Sequence, residues 1–319
     1  MAKYLDPKAD LTFKKVFAEH KDLMISFLNA LLPLGKDQQI ASIEYLPAEL
    51  VPENPLQKDT IVDVRCVDQF DRTFIVEMQM IWTKEFMQRV LLNASKAYAR
   101  QIDKGGNYTD LKPVFSLNLV NDVFRRDTDD YYHDYGIMDF KFPDHVIEGM
   151  HMIFFELPKF TPHSFSEKKM QALWLRYLTE IDEKTEAAPQ ELLDNPETKK
   201  ALEIVQESAY SRAQIDGYDH FWDMVSVERT LMTAAKRRGL EEGRAEGRIE
   251  GRAEGRAEGL AEGRAEGRAE GRAEGRAEGR AEGIKQASLD NARTMKRDGM
   301  SIELISRYTG LTPEEIDGL

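Results

Sequence analysis

The chain is 319 residues long, 41% hydrophobic and 32% charged, and carries a net charge of -13 at pH 7. That length can bury a sizeable core in one large or two modest domains, yet a mean hydropathy of -0.53 is more polar than one compact globule needs, so part of the chain is expected to be extended. The acidic balance excludes a broadly basic surface that coats nucleic acid by charge alone, while leaving room for a local cationic groove beside acidic metal ligands.

Asp6-Pro7 reads as a helix start, and Phe13, Val16, Phe17, Met24, Phe27, Leu28 and Leu31 keep helical spacing up to a stop at Pro33 and Gly35, which predicts one helix. A short strand is expected around Ile40 to Leu46, then a Pro-rich connection through Pro47, Pro52 and Pro55. Next come two runs dominated by β-branched and aromatic residues, Ile61 to Val67 and Thr73 to Met80. The polar stretch Asp68-Gln69-Phe70-Asp71-Arg72 between them is turn-like, so the runs are predicted to form an antiparallel hairpin. Phe86, Met87, Val90, Leu91, Ala94, Ala97, Tyr98 and Ile102 then repeat with helical period, capped by Gly105-Gly106. Pro113 to Val120 reads as a buried strand, and Met152 to Leu157 as an extension of the sheet. From about Pro162 to Ala235 the pattern is helical, with Met170, Leu173, Trp174, Tyr177 and Leu178 on one stripe, expected to form a separate helical layer.

A tetrapeptide repeat, Glu-Gly-Arg-Ala, runs in register from Glu242 to Ala281, broken only by Ile249 and Leu260. On an α-helix each unit drifts about 40°, so no residue type holds one face. Like charges fall at i,i+4, and one Gly in four costs about 1 kcal/mol each relative to Ala, on the order of 10 kcal/mol in all. Two readings follow: a flexible spacer, or helices whose Glu and Arg rows pair between chains, so that the tract mediates or spaces a homo-oligomer. In the tail, Leu289, Ala292 and Met295 suit one helix and Ser301 to Tyr308 a second; Thr312 caps a third that starts at Pro313. The joint Tyr308-Thr309-Gly310-Leu311 is like the turn of a helix-turn-helix, but Glu314, Glu315 and Asp317 after it suit phosphates badly, which favours a packing or protein-interaction module.

The chemistry is expected in the hairpin. Alternation puts Glu77 and Gln79 on one face and Phe74, Val76 and Met78 on the other. With an even pairing sum, Asp63 lies opposite Glu77 with Cβ atoms roughly 5 Å apart, an arrangement of like charges that a divalent cation would resolve. Two carboxylates suit Mg²⁺ or Mn²⁺, which keeps waters and substrate phosphate oxygens in its shell. The Met78 backbone carbonyl is a candidate third ligand, Gln79 a candidate for aligning water or phosphate, and Asp10 a candidate that completes the site from the first helix. The residues alone leave open a solvated Asp63 paired with Arg65 or Arg72, Asp10 as a simple helix-start residue, and Arg89 and Tyr98 as helix residues that could face the site.

Asp10-Leu11-Thr12-Phe13-Lys14-Lys15-Val16-Phe17, Asp63 between Val62 and Val64, Glu77-Met78-Gln79, and the Tyr98 helix leading into Gly105-Gly106-Asn107-Tyr108 resemble the recombination-promoting nuclease (Rpn) family, also described as transposases, of the PD-(D/E)xK nuclease superfamily. The resemblance covers roughly residues 4 to 230 and implies an α/β, restriction-endonuclease-like core of helix, three strands, helix and strand, with a helical C-terminal half and the low-complexity tract. It implies metal ligation by Asp63 and Glu77, with Gln79 where many superfamily members have lysine, and Mg²⁺-dependent endonucleolytic cleavage of DNA tied to recombination or genome defence. The competing reading is a catalytically weak, nuclease-derived protein that oligomerises through its repeat and tail.

The expected division is 1–160 nuclease-like core, 161–241 helical region, 242–283 repeat and 284–319 small helical tail. The six histidines show no metal-ligand spacing, Cys66 has no catalytic neighbour and precludes an internal disulfide framework, and no phosphate-cradling glycine loop points to a nucleotide cofactor. Without an apolar signal core or a run of roughly 18 apolar residues, the chain is expected to be cytoplasmic and free of membrane.

Overall fold

The computed structural model describes residues 3–49, 61–102, 105–162 and 169–319, so Pro52 and Pro55 of the Pro-rich connection lie outside the described residues. The chain divides into two compact units, Met1–Thr233 and Ala234–Leu319. No helix among the described residues is long and apolar enough to cross a membrane.

The first unit is built on a six-stranded mixed sheet. Its strands are β1 (Ile43–Tyr45), β2 (Val64–Asp68), β3 (Thr73–Gln79), β4 (Val114–Val120), β5 (Tyr132–Met138) and β6 (Val146–Glu156), in the spatial order β1-β2-β3-β4-β6-β5. β1, β2 and β3 run antiparallel; β3, β4 and β6 run parallel; β5 returns antiparallel along β6. The β2–β3 turn is built by Asp68: its Oδ1 accepts from the backbone N–H groups of Phe70 (3.0 Å) and Arg72 (2.9 Å), and its Oδ2 takes the Arg72 guanidinium at 2.8 and 2.6 Å. Asp71 adopts φ 61°, a left-handed conformation that aspartate tolerates better than most residues.

A parallel β3–β4 pair needs a crossover, and α3 (Lys84–Ala99) supplies it. Thr83 caps α3 by accepting from Phe86 N–H at 3.2 Å. Ala94 and Ala97 pack on Ile75, Val114 and Met150, while Phe86 and Val90 meet Val120 and Phe154. The opposite face, with Cys66, Phe74, Val76, Leu117 and Phe155, is covered by α1 (Asp10–Phe17), α2 (Lys21–Leu31), α4 (Lys169–Glu180) and α6 (Pro196–Ile204). Trp174 of α4 lies 5.6 Å from Phe17 and 5.5 Å from Phe27 between ring centroids, the distances of favourable aromatic pairs. The helices after Pro162 therefore share the sheet's own core and do not make a layer apart.

Three further details differ from the sequence reading. The first helix is two helices: the chain leaves α1 at Ala18, His20 is extended, and the His20 ring Nδ1 meets the Lys15 carbonyl at 2.9 Å, where the helical ladder has stopped. α3 ends at Ala99, well before Gly105. The last addition is β5, an edge strand whose residues are half-buried or exposed, with a register shift between Tyr135 and Ile137. A strand covered on one side only needs no apolar run, so periodicity gave no sign of it.

A five-residue helix, α5 (Gln190–Asp194), precedes α6. The remaining elements are α7 (Arg212–Arg297), α8 (Ile302–Thr309) and α9 (Pro313–Asp317). In the second unit Ala292, Ile305, Leu311 and Ile316 form a small core. Gly310, at φ 72°, ends α8 in the left-handed conformation, and Thr312 and Glu315 form the capping box that starts α9 with Pro313 in its first turn. A Cβ placed on any of the repeat glycines from Gly243 to Gly283 meets nothing within 4 Å.

Candidate active site

The β2–β3 ladder pairs Val64 with Val76 and Arg65 with Ile75. One step beyond it, Asp63 reaches the β3 residues next to Glu77: its Oδ2 accepts the Met78 N–H at 2.7 Å. Neither arginine raised as its counter-ion takes that part, since Arg72 binds Asp68 and Arg65 Nε is buried without a partner.

Glu77 points to the α3 face of the sheet and is 4% exposed. It accepts Asn93 Nδ2 at 3.0 Å and Arg89 Nη2 at 3.4 Å, both from α3, where the two residues stand four apart on one helix face. Asn93 is fully buried, and its Oδ1 has no partner. Gln79, two residues on along the same face, is held at both ends: Nε2 donates to the Ile81 carbonyl at 2.7 Å, and Oε1 accepts Arg89 Nη2 at 2.9 Å. A carbonyl on one side and a guanidinium on the other fix which way this amide faces. Asp10, in the first turn of α1, is ion-paired with Lys14 at 2.7 Å, and both lie close enough for their charges to act on Asp63.

The electrostatics follow from burial. Burial pushes the Asp63 carboxyl up to about 6; the Met78 N–H opposes the rise, the Glu77 charge adds to it, and Lys14 and Asp10 then act in opposite directions. Burial also raises the Glu77 carboxyl, against the pull of Arg89 and Asn93. Each carboxylate is thus held where ionisation is resisted, and a cation between them would relieve both.

The structure brings together Asp63, Glu77, Met78 and Gln79 at one end of the sheet, with Asp10 close enough to act electrostatically. Among the described residues no group of three or more His, Cys, Asp or Glu side chains could hold a metal ion. Two carboxylates are nevertheless a complete protein contribution for Mg²⁺, which takes most of its shell from water and phosphate. The unpartnered Asn93 Oδ1 beside Glu77 adds an acceptor of the kind that ordered metal waters seek. The donor set therefore fits a hard divalent ion.

Arg89, expected as a helix residue that could face the site, does so; Asn93 is the contribution that the sequence reading lacks. The one available signal is that Asn93 lies in the apolar stripe of Phe86, Val90, Ala94 and Ala97, where a buried amide calls for a polar partner.

The family described as PD-(D/E)XK nuclease family transposase matches residues 7–226 of this chain. No curated protein and no solved structure matches it.

Proposed function

As the chain belongs to the PD-(D/E)XK nuclease family transposases, we propose that it is a Mg²⁺-dependent endonuclease that hydrolyses DNA phosphodiester bonds in recombination or genome defence. The observation that carries this reading is the pair of carboxylates, the buried Glu77 and the half-buried Asp63, both shifted toward the protonated form by desolvation. Nucleases of this family generally use divalent metal ions, and here Asp63 and Glu77 would hold the ion.

The Met78 carbonyl is the proposed backbone ligand, because N–H and C=O of one strand residue face the same side and the Met78 N–H already meets Asp63. When bound, the ion supplies positive charge to a phosphodiester as negative charge develops at phosphorus. Asn93 and Arg89 keep the Glu77 carboxylate oriented, and the Met78 N–H does the same for Asp63. Gln79 helps to place the scissile phosphate but has no basicity with which to accept a proton. Asp10 flanks the site through its field at Asp63.

Supercoiled plasmid should be nicked by the wild-type protein in Mg²⁺ and left intact in EDTA, and Glu77→Gln should slow cleavage by at least about 100-fold. Equal nicking by the two proteins would remove Glu77 from the site, and no cleavage by wild type in Mg²⁺ or Mn²⁺ would favour the interaction-protein reading.

A homo-oligomeric assembly through the repeat is supported by one feature: α7 carries the tract as helix although its glycines disfavour that state and meet no neighbouring atoms. Deleting Glu242 to Gly283 should lower the number of subunits per particle in light scattering. An unchanged subunit number would rule out the repeat as the assembling element.

A further inference from the structure

We propose that Arg89 is the residue that grips the scissile phosphate, and that Gln79 acts as its positioning residue; the proposal rests on the nuclease reading above. Asp63 and Glu77 together carry two negative charges, which a divalent ion cancels, so the incoming phosphodiester's own charge still needs a partner. Among the described residues, Lys14 acts on Asp63 and Arg89 on Glu77. Lys14 is already committed to Asp10 at 2.7 Å. Arg89 lies 3.4 Å from Glu77, longer than the 2.7–2.9 Å of a tight charge-assisted bond, so its charge is only loosely matched.

The geometry prepares Arg89 for an oxyanion. Its Cζ sits 4.9 Å from the centroid of the buried Phe86 ring, which supports the guanidinium. The bonds to Gln79 and Glu77 both run through Nη2. The side chain is 46% exposed, and the guanidinium has five N–H donors, so the rest of the fork remains for a phosphate oxygen.

Gln79 explains how the group is held without being silenced. With Nε2 tied to the Ile81 carbonyl, the amide presents Oε1 to Arg89. A carboxylate there would still accept from Arg89 but would have no N–H for the Ile81 carbonyl and would neutralise the guanidinium; an amide orients the guanidinium and leaves its charge for the substrate.

The test uses the full chain and a short DNA duplex in Ca²⁺, read as affinity against salt concentration, alongside cleavage in Mg²⁺. Arg89→Ala is expected to bind about tenfold more weakly and to lower the slope of log K against log salt by about 0.9, the value for one lost phosphate contact. Added guanidinium should restore part of its cleavage. Gln79→Glu, which keeps the shape and cancels the charge, should reproduce the reduced slope, and Arg89→Lys should retain the slope while cleaving more slowly because the fork is gone. A wild type that cleaves, beside an Arg89→Ala variant of unchanged affinity and slope, overturns the Arg89 role and leaves the nuclease reading standing. A wild type that neither binds nor cleaves DNA overturns both.

Discussion

Replacing Asp63 with asparagine is expected to abolish DNA cleavage while raising the melting temperature of the metal-free protein at pH 7.5. The two effects have one origin. Asp63 titrates at about 6 in the fold against an ordinary 3.8, chiefly because burial disfavours its charge. A carboxyl raised in this way contributes stability that is fully present below about pH 4 and is lost as pH rises through about 6. At pH 7.5 the metal-free wild type therefore bears the whole penalty, on the order of 3 kcal/mol. Asparagine has no charge to bury, and its side-chain oxygen can still accept the Met78 N–H.

The variant should melt about 8 °C above wild type in EDTA at pH 7.5, and the gap should close by pH 4. Mg²⁺ should raise the wild-type melting temperature and leave the variant's unchanged, and the wild-type response should fade below pH 6 as Asp63 takes up a proton. Cleavage should fall by about 1,000-fold or more, as when a group acting on the transition state is removed. Cleavage at wild-type rates would overturn the assignment of Asp63. A melting difference that did not change with pH would show that buried charge is not what Asp63 costs the fold.

The elements that the sequence made legible are those whose determinants are local. The β2–β3 hairpin rests on β-branched runs and on the polar turn that Asp68 closes, and its register carries Asp63 to Glu77 as the even pairing sum requires. The start of α9 was readable because Thr312, Pro313 and Glu315 do their capping within four residues. Elsewhere the determinants are distant or silent. Periodicity runs unbroken across Ala18 to His20, so the gap between α1 and α2, marked by the His20 ring on the Lys15 carbonyl, left no trace in the apolar pattern. The edge strand β5 needs no apolar run. Within the site, the pairing of carboxylates was legible and the ties of Gln79 were not, because they depend on where α3 sets Arg89 and on the Ile81 carbonyl after the strand has ended. The family match over residues 7–226 agrees with the resemblance carried by Asp10 to Phe17, Asp63 and Glu77-Met78-Gln79.

The largest loss of stability is expected from Glu156→Ala. Glu156 ends β6, is fully buried, and gathers four partners: the N–H groups of Phe124 (2.8 Å) and Arg125 (3.3 Å), His133 Nε2 at 2.8 Å and Lys159 Nζ at 2.8 Å. Lys159 in turn donates to the carbonyls of Arg125, Thr128 (2.9 Å) and Asp130 (3.3 Å), so one ion pair fastens the whole loop after β4. Alanine would leave a nearly buried ammonium without its counter-charge and orphan two backbone amides, a cost of about 3–5 kcal/mol. Glu156→Gln keeps the shape and loses only the charge, and should cost less. Denaturant unfolding should show a larger loss of unfolding free energy for Glu156→Ala than for Glu156→Gln; a value for Glu156→Ala within about 0.5 kcal/mol of wild type would mean that the cluster does not hold the loop. The same loop reaches the site, since Asn121 N–H donates to the Gln79 carbonyl at 2.8 Å and Asp122 Oδ2 accepts the Trp82 N–H at 3.1 Å. Glu156→Gln is therefore expected to slow cleavage through the placement of Gln79 while keeping the melting response to Mg²⁺, because Asp63 and Glu77 are untouched. That combination separates the group that fastens the site from the pair that would hold its metal.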